Sequence, residues 1–193
     1  MITERLKTET AQLHKETEDV SYGALIMSGA LTPAEYAIII EKNYILHAVL
    51  EQAFKNYAPL AEVEGLDIES RYKTNSLIAD MQLIGRELPK LPNINITLNS
   101  LEEALGMMYV LEGATLGGSY ILKALLRTPS MQSITSYNYY GVYGDTIGPK
   151  WKTFQQILLS NVDTKEKEDV AIAAAAKTYQ IFKDVFVGGQ AAI

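Results

Sequence analysis

Apolar side chains recur every three to four positions along almost the whole chain, the pattern of amphipathic helices. A first helix is predicted over about Thr3–Asp19, with Leu6 and Leu13 on one stripe and Lys7, Lys15 and Glu16 elsewhere. A second starts at Thr32, a hydroxyl N-cap, with Pro33 in the first helical position and Glu35 in the first turn. Its apolar positions run through Ile38, Ile39, Tyr44, Ile45, Ala48 and Val49, and Pro59 stops it. A third is expected from about Ile68 to Glu87, punctuated by Pro89 and Pro92. The fourth opens at Asn99 or Ser100, carries Glu102 and Glu103 in its first turn, and reaches about Arg127 before Pro129. A tyrosine- and glycine-rich linker, "SYNYYGVYGDTIGP", precedes two more helices at about Pro149–Leu159 and Lys165–Phe186. No strand-like alternation persists, and no repeat or low-complexity linker divides the chain. The expected fold is therefore an all-α, single-domain helical bundle over residues 1–187, with 188–193 as a flexible C-terminal tail.

Composition narrows the chemistry more than the fold. A length of 193 residues suits one domain with a substantial core. With no cysteine, disulfide scaffolds, thiolate catalysis, zinc fingers and iron–sulfur clusters are excluded. A net charge of −6 argues against general nucleic-acid binding, which needs a basic face. The charged start lacks a signal-peptide core, and the densest apolar run is broken by Glu112, so a protein of the cytoplasm without a membrane span is expected. Only His14 and His47 are available as imidazoles. Any reaction must use these, carboxylates, or a cofactor that brings its own reactivity.

His14 and Glu18 are four residues apart and share a helix face. Glu18 would orient one imidazole nitrogen and leave the other for a metal, although a plain polar pair has the same spacing. Lys7 lies two turns before His14. On the fourth helix, "YVLEGATLGGSYILKALL" holds Gly113, Gly117 and Gly118, each costing about 1 kcal/mol relative to alanine. Gly113 and Gly117 open one strip of bare backbone, which suits either a close helix–helix contact, the commoner use, or close approach of a flat ligand. His47 stands three residues after Tyr44 and four before Glu51, and reads as a packing or partly exposed histidine. The tyrosines from Tyr137 to Tyr143 either line a ligand edge or are loop aromatics, and Trp151 reads as a packing anchor.

Taken together, these segments resemble the haem oxygenase family, in particular its bacterial biliverdin-producing members. The resemblance rests on His14, Glu18 and Lys7 in "LKTETAQLHKETED", on "NYILHAVLEQAF", on "YVLEGATLGGSY" and on "YGDTIGPKWKTFQQIL", in that order over most of the chain. It implies a bundle that holds haem between the first helix and a glycine-kinked distal helix. His14 would be the iron ligand, Glu18 its partner and Lys7 a propionate contact, with Gly113, Gly117 and Gly118 passing over the haem. The implied activity is oxidative cleavage of haem, both cofactor and substrate, to biliverdin, ferrous iron and carbon monoxide. O2 and electrons from a redox partner such as ferredoxin, flavodoxin or a reductase would be consumed, by a protein favoured to be a monomer.

The resemblance is not uniform. Where mammalian-type members have an aspartate after the first distal glycine, this chain has Ala114. Basic residues near the late aromatic are replaced by Gln155 and Leu159, with Lys150 and Lys152 nearby. The alternative is a non-catalytic haem- or bilin-binding protein of the same fold. A histidine phosphotransfer bundle lacks its usual lysine–glycine context here, and a carboxylate di-metal bundle lacks paired Glu-x-x-His motifs.

Overall fold

The computed structural model describes residues 1–188; residues 189–193, and with them most of the expected tail, lie outside the described residues. Eight α-helices account for most of the described chain, and no strand occurs among the described residues. They are α1 (Ile2–Glu9), α2 (Ala11–Val20), α3 (Gly23–Met27), α4 (Pro33–Asn56), α5 (Thr74–Leu83), α6 (Leu101–Leu125), α7 (Ile147–Asn161) and α8 (Lys165–Val187). The two long central helices start as their sequences dictate. Thr32 and Glu35 form a reciprocal capping box at α4, and the Ser100 hydroxyl accepts the Glu103 amide at α6. Of the two expected caps of the fourth helix, Ser100 is the one used.

Two predicted helices are interrupted. The first is divided at Thr10, whose backbone leaves the helical region (φ −104°, ψ 4°) while its hydroxyl donates back to the Leu6 carbonyl at 2.6 Å. Lys7 and His14 therefore stand on separate helices, α1 and α2. The third is shorter at both ends than Ile68–Glu87. Its start is a 3-10 turn, Ile68–Arg71, followed by a break that turns the side chains of Arg71 and Lys73 inward. Its end is a Schellman cap: Gly85 at φ +67° closes the helix with Arg86 N–H bonded to the Met81 carbonyl and Gly85 N–H to that of Gln82. Glycine, before either proline, ends α5.

The core forms two clusters. One joins α1, α4, α6, α7 and α8 through residues such as Leu6, Leu50, Leu105, Phe154 and Ala175. The other joins α3, α4, α5, the end of α6 and the tyrosine-rich segment through Ile26, Ile40, Leu77, Leu125 and Tyr137. Helix α6 runs through both and stays α-helical across all four of its glycines. Its first half packs against α8 so closely that a Cβ on Gly106 would stand 2.8 Å from the Ala171 carbonyl carbon. Burying this much apolar surface, at about 25 cal/mol per Å², is what stabilises the bundle.

Candidate functional site

Where the two core clusters meet, the packing leaves a cleft of about 570 Å³. Protein interiors are close-packed, so an apolar opening of this size calls for an occupant, and it falls within the range of small-molecule sites. Its walls come from α2, α3, α4, α6, α8 and the tyrosine-rich segment. A depression of about 610 Å³ between residues 59–65 and α7 has no histidine in its lining.

Helix α2 gives the cleft its histidine. His14 and Glu18 both line it, with His14 Nδ1 3.6 Å from a Glu18 carboxylate oxygen. The two side chains are 54% and 64% exposed, so the imidazole is open to a ligand. Its ring meets Tyr179 edge-on at 5.9 Å. Lys7 is exposed on α1 and is not part of the cleft lining.

Helix α6 gives the cleft its bare backbone. Gly113, Ala114 and Gly117 line it. A Cβ added to Gly117 would meet nothing within 4 Å, and one added to Gly113 would only touch the Trp151 ring at 4.0 Å. Gly118 does not line the cleft: its missing Cβ makes room for Tyr140, whose Cδ1 would stand 3.3 Å away. The third glycine thus accommodates the tyrosine-rich segment rather than a ligand. Trp151 packs between Tyr109 and Phe154, and Lys150 bonds Ser70, away from the cleft.

A buried polar chain reaches the cleft from α4, and no single stretch of sequence announces it. Asn43 and Tyr139 both line the cleft. The Tyr139 hydroxyl is 3.1 Å from Asn43 Oδ1 and 3.1 Å from His47 Nε2. His47 Nδ1 is 3.3 Å from Glu51, which also accepts the Lys73 amide at 2.6 Å and the Thr74 hydroxyl at 2.6 Å. His47 is 1% exposed, so of the two expected readings it is the packing histidine, with a polar role besides. Deeper still, Glu112 accepts from Lys73 and Tyr143, each at 2.8 Å, and pairs with Arg71. Two carboxylates and two cations balance, as burial of charge demands.

Protonation follows from these surroundings. Burial holds the His47 imidazole below its ordinary range despite the Glu51 carboxylate beside it. Burial pushes Glu51 up, but His47, Thr74 and the Lys73 amide outweigh it and hold that carboxyl below its usual value. Glu112 is held low in the same way, burial being overcome by Lys73, Arg71 and Tyr143. With Tyr139 and His47 neutral, two protons serve three contacts from Asn43 through Tyr139 and His47 to Glu51. One of the three contacts is therefore without a proton, and the His47 tautomer decides which.

An all-α bundle that sets a histidine and a bare helical backbone on one apolar cleft has the form of a haem-binding protein. The family profile described as heme oxygenase matches residues 1–187, and the chain belongs to that family, with its haem-degrading oxygenase function. Among solved structures it is similar to the NO- and CO-bound heme oxygenase of Neisseria meningitidis (19% identity, 96% of this chain and 90% of that one, TM-score 0.78). It is also similar to the heme oxygenase of Leptospira interrogans (18%, 96% and 98%, TM-score 0.71). A third likeness is to heme oxygenase-1 of the cyanobacterium Synechocystis in complex with heme (14%, 96% and 90%, TM-score 0.78). No curated protein matches the chain. Among the described residues no helix is long and apolar enough to cross a membrane.

Proposed function

We propose that the cleft binds haem between α2 and α6, with His14 as iron ligand and O2 as co-substrate, and that the Gly113–Gly117 backbone covers the opposite face. The observation that carries this reading is the pairing, on one cleft, of an open histidine with a glycine whose missing side chain has nothing in its place. Apolar rings from α8, Tyr179 and Phe182 among them, line the remaining wall and suit a flat hydrophobic substrate. When bound, haem supplies the iron that meets O2 and the ring that is opened.

The protein's own part is to orient the substrate and shape the space around it. Glu18, beside Nδ1, turns the His14 imidazole so that Nε2 is free for the iron. Bare backbone at Gly113 and Gly117 would let a flat substrate lie close against α6 and would leave little room between the two. Ala114 offers no carboxylate there, and Asn43 and Tyr139, backed by His47 and Glu51, supply polar groups on the cleft wall instead. Tyr139 stays a neutral phenol, held by Asn43 and His47, and acts as a hydrogen-bonding group of the cleft wall.

Electrons come from an external donor such as ferredoxin, flavodoxin or a reductase, and the reaction is assigned to the cytoplasm. Family membership favours this over the non-catalytic binding protein. The test is an aerobic reaction of purified protein, haem and reductant, with biliverdin followed optically. His14→Ala is expected to change the haem absorption spectrum; an unchanged spectrum would remove His14 as ligand.

A further inference from the structure

Asp80, on α5, is 1% exposed and lies outside the cleft lining. It makes no ion pair within 4 Å among the described residues. Its carboxylate accepts three N–H bonds instead: from the Asn138 backbone at 2.7 Å, the Asn138 side-chain amide at 2.8 Å and the Tyr139 backbone at 2.9 Å. An unpaired carboxylate is costly to bury. Its particular use is that both oxygens only accept, so three donors can converge on one point; an asparagine in its place would turn a donor toward one of them.

The segment it grips is the tyrosine wall of the cleft. From Asn138 the chain passes directly to Tyr139 and Tyr140, both cleft-lining. The Tyr139 ring stands edge-on to His47 at 5.3 Å and tilted to Tyr140 at 4.9 Å. Tyr140 in turn fits against Gly118, where α6 carries no side chain. The wall is thus held from behind by one carboxylate and from α6 by one absent methyl. Building on the haem reading above, we propose that Asp80 is a positioning residue, fixing Tyr139 and Tyr140 and through them the in-plane seating of the substrate.

The experiment pairs Asp80→Asn with Leu77→Ala on the same helix. Leu77 is fully buried in the same core cluster and has no polar atom to hold the segment, so it controls for lost stability alone. In the haem-free proteins, amide exchange at Asn138 and Tyr139 is expected to rise about tenfold more in Asp80→Asn than in Leu77→Ala at equal loss of Tm. With haem, Asp80→Asn should shift the absorption spectrum and broaden the mixture of biliverdin isomers, while Leu77→Ala keeps the parental spectrum and isomer. The proposal falls if the exchange pattern of Asp80→Asn follows Leu77→Ala, or if its isomer mixture stays parental. Failure of the haem reading looks different: the parental protein itself takes up no haem, which overturns the seating claim while the exchange arm still decides whether Asp80 holds the wall.

Discussion

The two halves of α6 use glycine for opposite ends. At Gly106 the missing side chain is replaced by another helix, since the Ala171 carbonyl of α8 occupies the space a Cβ would need. At Gly117 it is replaced by nothing, and the space belongs to the cleft. One residue type in one helix thus serves closeness at Gly106 and vacancy at Gly117. The cost in helix propensity is about the same at both, but only the first is offset within the folded protein. The second is offset by nothing in the folded protein, as the proposed ligand site would require.

The largest effect should come from closing the packed half. Gly106→Ala forces apart α6 and α8, the most extensively packed pair of helices among the described residues, and overpacking of backbone against backbone is expected to cost about 3 kcal/mol. For a domain of this size that lowers Tm by roughly 6–12 °C, read by calorimetry. A Tm at or above the parental value would erase the distinction between the halves. Next comes Gly117→Val, which fills vacant space. Haem affinity is expected to fall about a hundredfold by optical titration, with thermal stability within about 0.5 kcal/mol of the parent. Retained affinity would mean that the vacancy is not the binding site.

The buried charges that fasten the middle of α6 respond to acid. His47 has its folded pKa depressed, so below its ordinary value of 6.5 the unfolded chain takes up a proton that the folded one refuses, and stability falls with pH. Glu51 and Glu112, also depressed, contribute stability that is lost further down, below about 4.5, as they protonate. The slope from His47 alone stays under about 1.4 kcal/mol per pH unit. His47→Gln should flatten unfolding curves between about pH 6.5 and 5 while leaving the steeper acid limb. The smallest expected effect sharpens the comparison most. Gly117→Ala should stabilise the haem-free protein by about 0.5–1 kcal/mol, the reverse in sign of Gly106→Ala, because the methyl group meets no neighbour.

Local signals in the sequence predict the local structure well. The Thr32 capping box and the Ser100 cap start α4 and α6 where their side chains dictate, and the apolar period places the buried faces. The structure departs from the periodic pattern for two kinds of reason. Arg71 and Lys73 break the third helix because they turn inward to Glu112, and periodicity carries no record of a charge pair across about forty positions. The split at Thr10 is local, its hydroxyl bonding the Leu6 carbonyl, and it separates Lys7 from His14, which an unbroken helix would keep on one face. Of the candidate site, spacing put His14 with Glu18 on one face and opened the Gly113–Gly117 strip, and both line the cleft; only the family resemblance favoured a ligand over plain packing. Asn43, Tyr139 and the role of His47 were not, because 92 positions separate His47 from Tyr139.

What the sequence alone determined is the bundle, its helix starts, the absence of thiol chemistry and the family to which the glycine helix and the histidine belong. Those depend on contacts within a few residues or on composition. Only the tertiary structure decided what each glycine is for. Gly106, Gly117 and Gly118 are alike in a sequence, since a missing side chain carries no mark of what fills its place; that is set by α8, by open space and by Tyr140 in turn.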